Sequence, residues 1–193
     1  MTTTRERIVH ASFDVFDNLD FHKATIREIA KRSGIAPASI YKHFASKDDL
    51  VMAITNEKTK QMITELNEHF IGVRGTMNKL RKMTWYYLYF YENNPQVSWV
   101  VNISTSVKSW RESSDGWKNV RQTGQTFMGI LREGQKLGDV RQDINIFVMS
   151  NIYFGGLARL VQIWLVHNQS YSLTALADDF AETIFAAVRT PTE

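Results

Sequence analysis

Three helix-start signals in the first fifty residues constrain the fold of this chain more than any other feature. In each, a Ser or Thr precedes an acidic residue by three positions, which is the spacing of a capping box. The pairs are Thr3 with Glu6, Thr25 with Glu28, and Ser46 with Asp49. They predict helices over about 4–18, from Thr25 to just before Gly34, and over about 47–71. A Pro that suits a first helical position predicts one more short helix, from Pro37 to about His43.

The rest of the chain continues the helical pattern. Apolar residues recur three and four positions apart, and no stretch of useful length alternates with period two. Further helices are predicted over about 76–92, 95–108, 115–136, 143–167 and 173–189. The chain is therefore predicted to be all-α, with about nine helices.

The composition changes after the long helix that begins near residue 47. All five tryptophans lie beyond Gly72 and Gly75, which follow this helix. We therefore predict two domains with the junction inside the long helix. A three-helix N-terminal domain covers residues 1–50, and a larger helical domain covers residues 51–193.

The composition favours a soluble, cytoplasmic protein. The absence of cysteine excludes disulfides, zinc fingers, iron–sulfur clusters and thiol nucleophiles. The first twenty residues are polar and charged, without the apolar core of a secretory signal. The apolar stretch 144–166 has the length of a membrane span, but Arg159 lies well inside it. We therefore interpret it as a buried helix and predict no membrane partner.

No catalytic or metal-binding motif is recognisable in the sequence. The five histidines are scattered, and neither an H-E-x-x-H motif, a G-x-S-x-G motif nor a Gly-rich phosphate loop occurs. Glu65, Glu68 and His69 lack the Glu-x-x-His spacing of metal sites in helical bundles. We predict no enzyme activity, no cofactor and no metal.

Positive charge is concentrated in one segment. Between His22 and Lys47 there are six Lys or Arg residues and one acidic residue, whereas the whole chain has a net charge of +3. Such a patch is typical of a polyanion contact, although a solvated charged face has the same composition. Two short helices joined by a Gly-containing turn in this segment match a helix-turn-helix, which binds DNA.

A helix-turn-helix inserts the start of its second helix into the major groove. Exposed positions at the start of the second helix are predicted to face DNA, and the cations among them are predicted to bind phosphate. The helix N-terminus at Thr25 is predicted to bind phosphate as well. The candidate DNA-binding residues are Thr25, Pro37, Ala38, Ser39, Tyr41, Lys42, His43 and Lys47.

The same segment resembles a known family. Residues 25–50 read TIREIAKRSGIAPASIYKHFASKDDL, and with Ile8, Ala11 and Phe16 upstream they are similar to the DNA-binding domain of the TetR (tetracycline-repressor) family. The resemblance implies a homodimer that binds an inverted-repeat operator in double-stranded DNA, usually a repressor that a small molecule releases. It also implies that Tyr41 and Lys47 hold phosphates. The residues that would form the core between the two helices are Ile26, Ile29, Ala30, Ile40 and Phe44.

Three positions depart from the family pattern. Asp20 stands where the family usually has Gly before the second helix, a change that Asp can bear because it tolerates positive φ better than most residues. Ala36 stands where the family usually has a capping Ser, so the recognition helix relies on Pro37 for its first turn. Ala38 replaces a frequent Gly. The operator sequence is therefore not predictable.

Aromatic residues of the C-terminal domain have two interpretations. They fill space between helices, or they line an apolar pocket with a few polar groups, and both can hold at once. The candidate ligand-binding residues are Trp85, Tyr89, Trp99, Asn102, Trp110, Asn151, Phe154 and Arg159.

Segments 130–140 and 152–180 resemble FadR-type members of the family, which sense fatty acyl-coenzyme A. The expected effector is a small hydrophobic or aromatic molecule, with a fatty acyl-CoA as the specific candidate. Arg159 either meets its anionic head group or forms a salt bridge or a dimer contact.

The last two predicted helices carry more apolar surface than packing against one face of a helical bundle would bury. A two-fold four-helix interface would bury the excess and place two recognition helices about 34 Å apart, one turn of DNA. Ligand binding is expected to change this spacing, so that DNA and ligand weaken each other's binding equally. The candidate interface residues are Phe147, Ile152, Leu160, Trp164, Leu176, Phe180 and Ile184.

A helical ligand carrier without a DNA role is the alternative from another class. It leaves the basic segment and the helix-turn-helix spacing unexplained. Steep salt dependence of duplex binding separates the two classes, because only phosphate contacts release counterions.

Overall fold

A computed structural model describes residues 3–18, 25–95, 97–98 and 115–191. These residues form eight α-helices and one 3-10 turn: α1 (Thr4–Asn18), α2 (Ile26–Ser33), α3 (Pro37–Tyr41), α4 (Lys47–His69), α5 (Thr76–Asn93), α6 (Asp115–Leu137), α7 (Ile146–Val166), the 3-10 turn (Thr174–Leu176) and α8 (Ala177–Val188). Within these ranges there is no β-strand, so the all-α prediction is confirmed. Most of the predicted helix over 95–108 lies outside the described residues.

The predicted capping residues begin three of these helices. The Thr3 hydroxyl accepts from the Glu6 N–H at 3.2 Å, while Glu6 Oε2 accepts from the Thr3 N–H at 2.7 Å. Thr25 and Glu28 make the same pair of bonds before α2. The Ser46 hydroxyl accepts from the third residue of α4 at 3.1 Å. Each bond satisfies a backbone N–H that has no partner within its helix, which explains why the sequence located these helix starts.

The described helices bury two apolar cores. The N-terminal core joins α1, α2 and α3 to the start of α4, and Ile8, Ile40 and Leu50 are fully buried in it. The C-terminal core joins the rest of α4 to α5, α6, α7 and α8. Along α4, Ile54 belongs to the first core and Met62 to the second. Helix α4 is therefore shared by both cores, and a domain boundary near residue 50 stays a prediction.

Helix α5 is the centre of the C-terminal bundle, where it packs against α4, α6, α7 and α8. At its end, the Glu92 carboxylate accepts from the Leu173 N–H at 2.8 Å. At its start, Thr76 Oγ1 donates to Asp139 Oδ2 at 2.8 Å. Polar contacts thus hold both ends of α5 to the segments that connect the later helices.

Two predicted boundaries differ from the structure. The helix predicted over 143–167 begins at Ile146, because Asn145 Oδ1 accepts from the backbone N–H groups of the second and third helical residues at 3.0 and 3.1 Å. The helix predicted over 173–189 begins with the 3-10 turn. Glu92 fixes that turn by accepting from the Thr174 N–H at 3.3 Å and from the Thr174 hydroxyl at 2.7 Å.

Candidate DNA-binding surface and ligand-binding region

A left-handed glycine makes the turn between α2 and α3. Gly34 has a φ of 66°, a conformation that residues with a Cβ rarely adopt. Its N–H donates to Ala30 O, as does the N–H of Ile35 at 3.2 Å, and these bonds end α2. Pro37 then begins α3. This tight connection is the kind that a helix-turn-helix requires.

The buried side of α3 fixes its position. Ala36 precedes α3 as its N-cap residue and makes no side-chain hydrogen bond to the helix, as expected for alanine, so core contacts hold the helix in place. Ile40 is fully buried and Phe44 is 4% exposed. The predicted core between the two helices is confirmed, since all of its members lie in the N-terminal core: Ile26, Ile29, Ala30, Ile40 and Phe44.

The opposite side of α3 faces solvent. Most of the predicted DNA-binding residues are exposed there, and Tyr41 is 55% accessible. The exposed residues are Pro37, Ala38, Tyr41, Lys42 and His43, whereas Ser39 and Lys47 are half-buried. Thr25 is exposed at the start of α2, where its hydroxyl bonds to Glu28. Apart from Thr25, the predicted DNA-binding residues therefore lie in α3 or within a few residues of its end.

A cleft of about 600 Å³ beside α3 contains a cation that sequence reasoning did not single out. Arg5 of α1 lines it together with Tyr41, Lys42 and His43. The Arg5 guanidinium lies 5.0 Å from the centroid of the Phe44 ring, a cation–π contact. No motif or periodicity marks Arg5, because its partner Phe44 lies far away in the sequence.

Further cations extend the positive surface along α2. Arg27, Lys31 and Arg32 are exposed. Arg7 Nη2 donates to Ser33 O at 3.3 Å and so places another cation at the C-terminal end of α2. Within the described residues, most cations of the basic segment therefore form a solvent-facing positive surface, which suits DNA phosphates.

The C-terminal core contains a cluster of aromatic rings, which we call the aromatic cluster. Phe127 and Tyr153 stack with centroids 4.1 Å apart, and Phe154 meets both rings edge-on. The ring of Tyr87 lies 6.0 Å from Phe154 and 4.7 Å from Tyr91. These rings belong to α5, α6 and α7, so the cluster joins three helices.

Hydroxyl groups lie inside this apolar cluster. Thr84 Oγ1 and the Tyr153 hydroxyl are buried and 2.9 Å apart. Burial raises the pKa of Tyr91 to about 12, and burial also raises the pKa of Tyr87 and of Tyr153 above its ordinary value. The three phenols are therefore neutral at physiological pH and act as hydrogen-bonding groups in apolar surroundings.

The predicted ligand-binding residues lie in several places. Phe154 belongs to the aromatic cluster. Trp85 and Tyr89 stack 4.9 Å apart on α5, where Tyr89 is 41% exposed. Asn151 and Arg159 are exposed on α7. The predicted residues outside the described part of the chain are Trp99, Asn102 and Trp110.

One surface of α7, which we call the α7 face, is apolar and exposed. Phe147, Val148, Ile152 and Val166 are 67%, 49%, 56% and 78% accessible, and Gly155 is exposed among them. By length and composition alone this helix could cross a membrane. In its most apolar stretch of 18 residues, 28% is buried inside the protein. The α7 face therefore carries apolar surface that the described residues leave exposed.

The predicted interface residues differ in exposure. Phe147 and Ile152 are exposed on the α7 face, whereas Trp164 and Ile184 are 2% and 5% exposed in the chain's own core. The indole N–H of Trp164 donates to Tyr171 O at 2.8 Å. Trp164 and Ile184 therefore stabilise the C-terminal core of this chain. The half-buried members are Leu160, Leu176 and Phe180.

Two family models match consecutive parts of the chain. Residues 8–54 match the bacterial regulatory proteins of the tetR family, and residues 55–187 match the C-terminal region of YsiA-like proteins. The chain belongs to the TetR family. The resemblance seen in residues 25–50 is therefore confirmed, and this TetR-family protein is a DNA-binding transcriptional regulator.

Curated relatives of this TetR-family protein are regulators as well. The fatty acid metabolism regulator protein of Bacillus subtilis is 23% identical over 188 residues, which are 94% of each chain. The HTH-type transcriptional regulator UidR of Escherichia coli K12 is 26% identical over 153 residues, 77% of this chain and 75% of UidR. These relatives agree with the prediction that the chain is not an enzyme. In the described part of the chain, no group of three His, Cys, Asp or Glu side chains is placed to hold a metal ion.

Solved structures share the fold. FadR from Bacillus halodurans, a fatty acid degradation regulator, has a TM-score of 0.81 at 19% identity, with 96% of both chains covered. FadR from Bacillus subtilis in complex with stearoyl-CoA has a TM-score of 0.74 at 20% identity, with 95% of this chain and 98% of that chain covered. The predicted architecture is thus confirmed as a helix-turn-helix domain followed by a C-terminal helical domain.

Proposed function

We propose that this TetR-family regulator is a homodimeric repressor that binds an inverted-repeat operator through α3 and is released by a small hydrophobic ligand. The observation that carries the proposal is α3 itself. Ile40 and Phe44 bury one side of it, while Pro37, Tyr41 and Lys42 face solvent. In a helix-turn-helix, such a helix enters the major groove. A regulator of this kind acts where the chromosome is, so the proposal includes a cytoplasmic location.

The side chains around α3 divide into two proposed roles. Tyr41, Lys42 and Lys47 bind backbone phosphates, which position the protein, and the N-terminus of α2 at Thr25 offers backbone N–H groups to another phosphate. Near the base edges, small side chains allow close approach, and Ser39 hydrogen-bonds to a base or a phosphate. The residues on that side are Pro37, Ala38, Ser39 and His43.

The α7 face is the proposed centre of the dimer interface. An exposed apolar surface on one helix is unfavourable in water and is typical of an interaction site. Two-fold pairing of α7 and α8 would bury Phe147, Ile152 and Val166, with Gly155 allowing the helices to approach closely. It would also place the two copies of α3 about 34 Å apart, so that each reads one half of the operator. At the margin of this interface lie Leu160, Leu176 and Phe180.

A fatty acyl-CoA is the proposed effector. Support comes from the aromatic cluster, which offers apolar rings together with the buried hydroxyls of Thr84 and Tyr153. Further support comes from the FadR structure that contains stearoyl-CoA. In the proposal, the acyl chain packs against Tyr87, Phe127 and Phe154.

Helix α4 is the proposed connection between ligand and DNA. Its first turns belong to the N-terminal core and its later turns to the C-terminal core. It also packs along α6, where Asn119 Nδ2 donates to Asn56 O at 3.3 Å. A ligand that moves α6 therefore moves α4 and changes the separation of the two α3 helices. By linkage, operator DNA weakens ligand binding by the same factor.

Selection of bound duplexes from a random DNA pool, at near-physiological salt, tests the DNA-binding part. We expect the wild-type protein to enrich an inverted repeat and the Tyr41→Ala, Lys42→Ala double variant to lose the enrichment. The matched control is Tyr171→Ala, Lys136→Ala, which removes the same side-chain types from exposed positions of the C-terminal domain. Enrichment that is equal in all three proteins, or absent for folded dimeric wild type, would contradict the proposal.

A further inference from the structure

A polar cleft of about 390 Å³ lies where the N-terminal helices meet the C-terminal bundle, and we call it the junction cleft. Three helices line it. Arg5 comes from α1, Asn56, Glu57 and Lys60 come from α4, and Lys118 and Asn119 come from α6. Its volume lies within the range of small-molecule sites. It is also separate from the aromatic cluster, whose residues do not line it.

The charge of the junction cleft favours an anion. Its lining carries three cations, Arg5, Lys60 and Lys118, and one carboxylate, Glu57. The carboxylate of Glu6, which is held in the Thr3 capping box, is a second acidic group close to Lys60, so the three cations exceed the nearby carboxylates by one charge. Cations that converge from three helices suit a compact group with several acceptor oxygens, of which a phosphate monoester is the common biological example.

The wall of the junction cleft also contains an acceptor without a donor. Asn56 Oδ1 is buried and has no hydrogen-bond partner among the described residues. Next to it, the Asn119 amide makes two long bonds, 3.3 Å to Asn56 O and 3.4 Å to Thr59 Oγ1. A buried acceptor left without a donor is unfavourable, so rotation of the Asn56 side chain towards the cleft would bring this oxygen to a ligand hydroxyl that supplies the donor.

We propose that the junction cleft binds a phosphate monoester that carries hydroxyl groups, such as a sugar phosphate or the ribose phosphate of a larger molecule. Arg5, Lys60 and Lys118 bind the phosphate oxygens, and a hydroxyl donates to Asn56. The site itself does not depend on the function proposed above.

The position of Arg5 links this site to DNA binding, and this part of the inference rests on the proposed function. Arg5 lines both the junction cleft and the cleft beside α3, and its guanidinium packs on the Phe44 ring. A bound phosphate attracts Arg5 away from Phe44 and adds negative charge beside Tyr41 and Lys42. Both effects weaken attraction to DNA phosphates, so occupancy of the junction cleft lowers operator affinity.

Calorimetric titration of the full-length protein tests the site. The probes are glucose 6-phosphate and coenzyme A, with glucose as the control that lacks the phosphate. We expect saturable binding of at least one phosphorylated probe, weakened about tenfold by Lys60→Gln and by Lys118→Gln, because each variant removes one charge-assisted contact. Lys136→Gln, a matched change of another exposed lysine on α6 outside the junction cleft, should leave binding unchanged.

The outcomes separate the ligand sources. Binding of glucose 6-phosphate that the two variants weaken supports a free sugar phosphate, and the same pattern with coenzyme A alone supports the ribose phosphate of a larger molecule. No saturable binding of either probe, or binding that Lys60→Gln and Lys118→Gln leave intact, overturns the site.

Fluorescence anisotropy with the selected operator then tests the link to DNA. We expect the saturating probe to weaken operator binding by wild type and to have no effect on the Lys60→Gln, Lys118→Gln double variant at the same probe concentration. Unchanged operator affinity of probe-saturated wild type overturns the link through Arg5 and leaves the proposed repressor function standing. Failure of the operator selection would remove that function, while the calorimetric test of the junction cleft would still decide the site.

Discussion

The carboxylate of Glu92 shows how a single residue connects distant parts of this chain. It accepts from the backbone N–H groups of Leu173 and Thr174 and from the Thr174 hydroxyl. Burial acts to raise the pKa of Glu92, but the hydrogen bonds from Thr174, Ser172 and the two N–H groups outweigh burial and lower that pKa. The ionised form of Glu92 therefore stabilises the folded state.

We expect Glu92→Gln to destabilise the protein by about 1 kcal/mol at neutral pH, because a neutral amide offers one acceptor where the carboxylate offers two charged ones. Because the pKa of Glu92 is lower in the folded state than in the unfolded state, the ionised carboxylate stabilises the fold at pH values above the unfolded pKa of about 4.3. This stabilisation is lost as the pH falls through the folded pKa. The difference between wild type and variant should therefore shrink below about pH 4.

Urea unfolding at pH 7, 5 and 3.5 measures the difference. Glu68→Gln, at an exposed position of α4, is the control and should be nearly neutral throughout. A Glu92→Gln effect that is the same at all three values would show that the charge of Glu92 does not contribute.

Sequence patterns located the residues whose environment is set locally. The resemblance of residues 25–50 to the TetR family predicted that Ile40 and Phe44 are buried, and both are. Arg5 and Glu92 were missed, because each acts through residues that are far away in the sequence. A polar residue of this kind carries no periodic signal that predicts its partner.

At the scale of secondary structure, the helix starts were the most predictable features. Thr3, Thr25 and Ser46 each cap a helix where the sequence indicated one. The start of the last helix was less predictable, because its 3-10 turn depends on Glu92 from α5. Local capping is visible in the sequence, whereas a cap supplied by another helix is not.

Two glycines of α6 give a matched test of helix packing. A Cβ at Gly134 would lie 2.6 Å from Cγ2 atoms of Thr76 and of Val140, whereas a Cβ at Gly129 would meet nothing within 4 Å. We expect Gly134→Ala to destabilise the protein by about 1–3 kcal/mol, because both neighbours are β-branched and held in the core. Gly129→Ala should stabilise it by about 0.5–1 kcal/mol through helix propensity.

Chemical unfolding of the two variants beside wild type measures these changes. Equal effects of the two substitutions would mean that α6 does not approach α5 as closely as described. The opposite signs that we expect would instead locate the close contact at Gly134.

At the scale of the whole molecule, the sequence predicted the order of helices but not the orientation of α7. That helix is apolar on nearly all sides, so its pattern does not distinguish the side that packs in the core from the side that remains open. Asn151 and Arg159 were predicted as ligand-binding residues, and both are exposed on α7. Whether they contact a ligand or a partner subunit stays a prediction.

Ile152→Glu tests the proposed dimer. Ile152 is 56% exposed at the middle of the α7 face, where pairing would force a buried charge without a partner. We expect sedimentation velocity to show a monomer for this variant and a dimer for wild type. Ile71→Glu is the matched control, because Ile71 is 81% exposed on the turn after α4 and is not part of the α7 face. A dimeric Ile152→Glu protein would exclude the α7 face as the interface.

Release of the selected operator by stearoyl-CoA is the most direct test of the proposed regulator. Anisotropy of labelled operator is followed while stearoyl-CoA is added below its micelle-forming concentration, and calorimetry establishes that the ligand binds. We predict that saturating stearoyl-CoA weakens operator binding about tenfold or more, the size of a typical allosteric coupling. Operator affinity that stays unchanged while stearoyl-CoA is bound would contradict the proposal that this ligand releases the repressor.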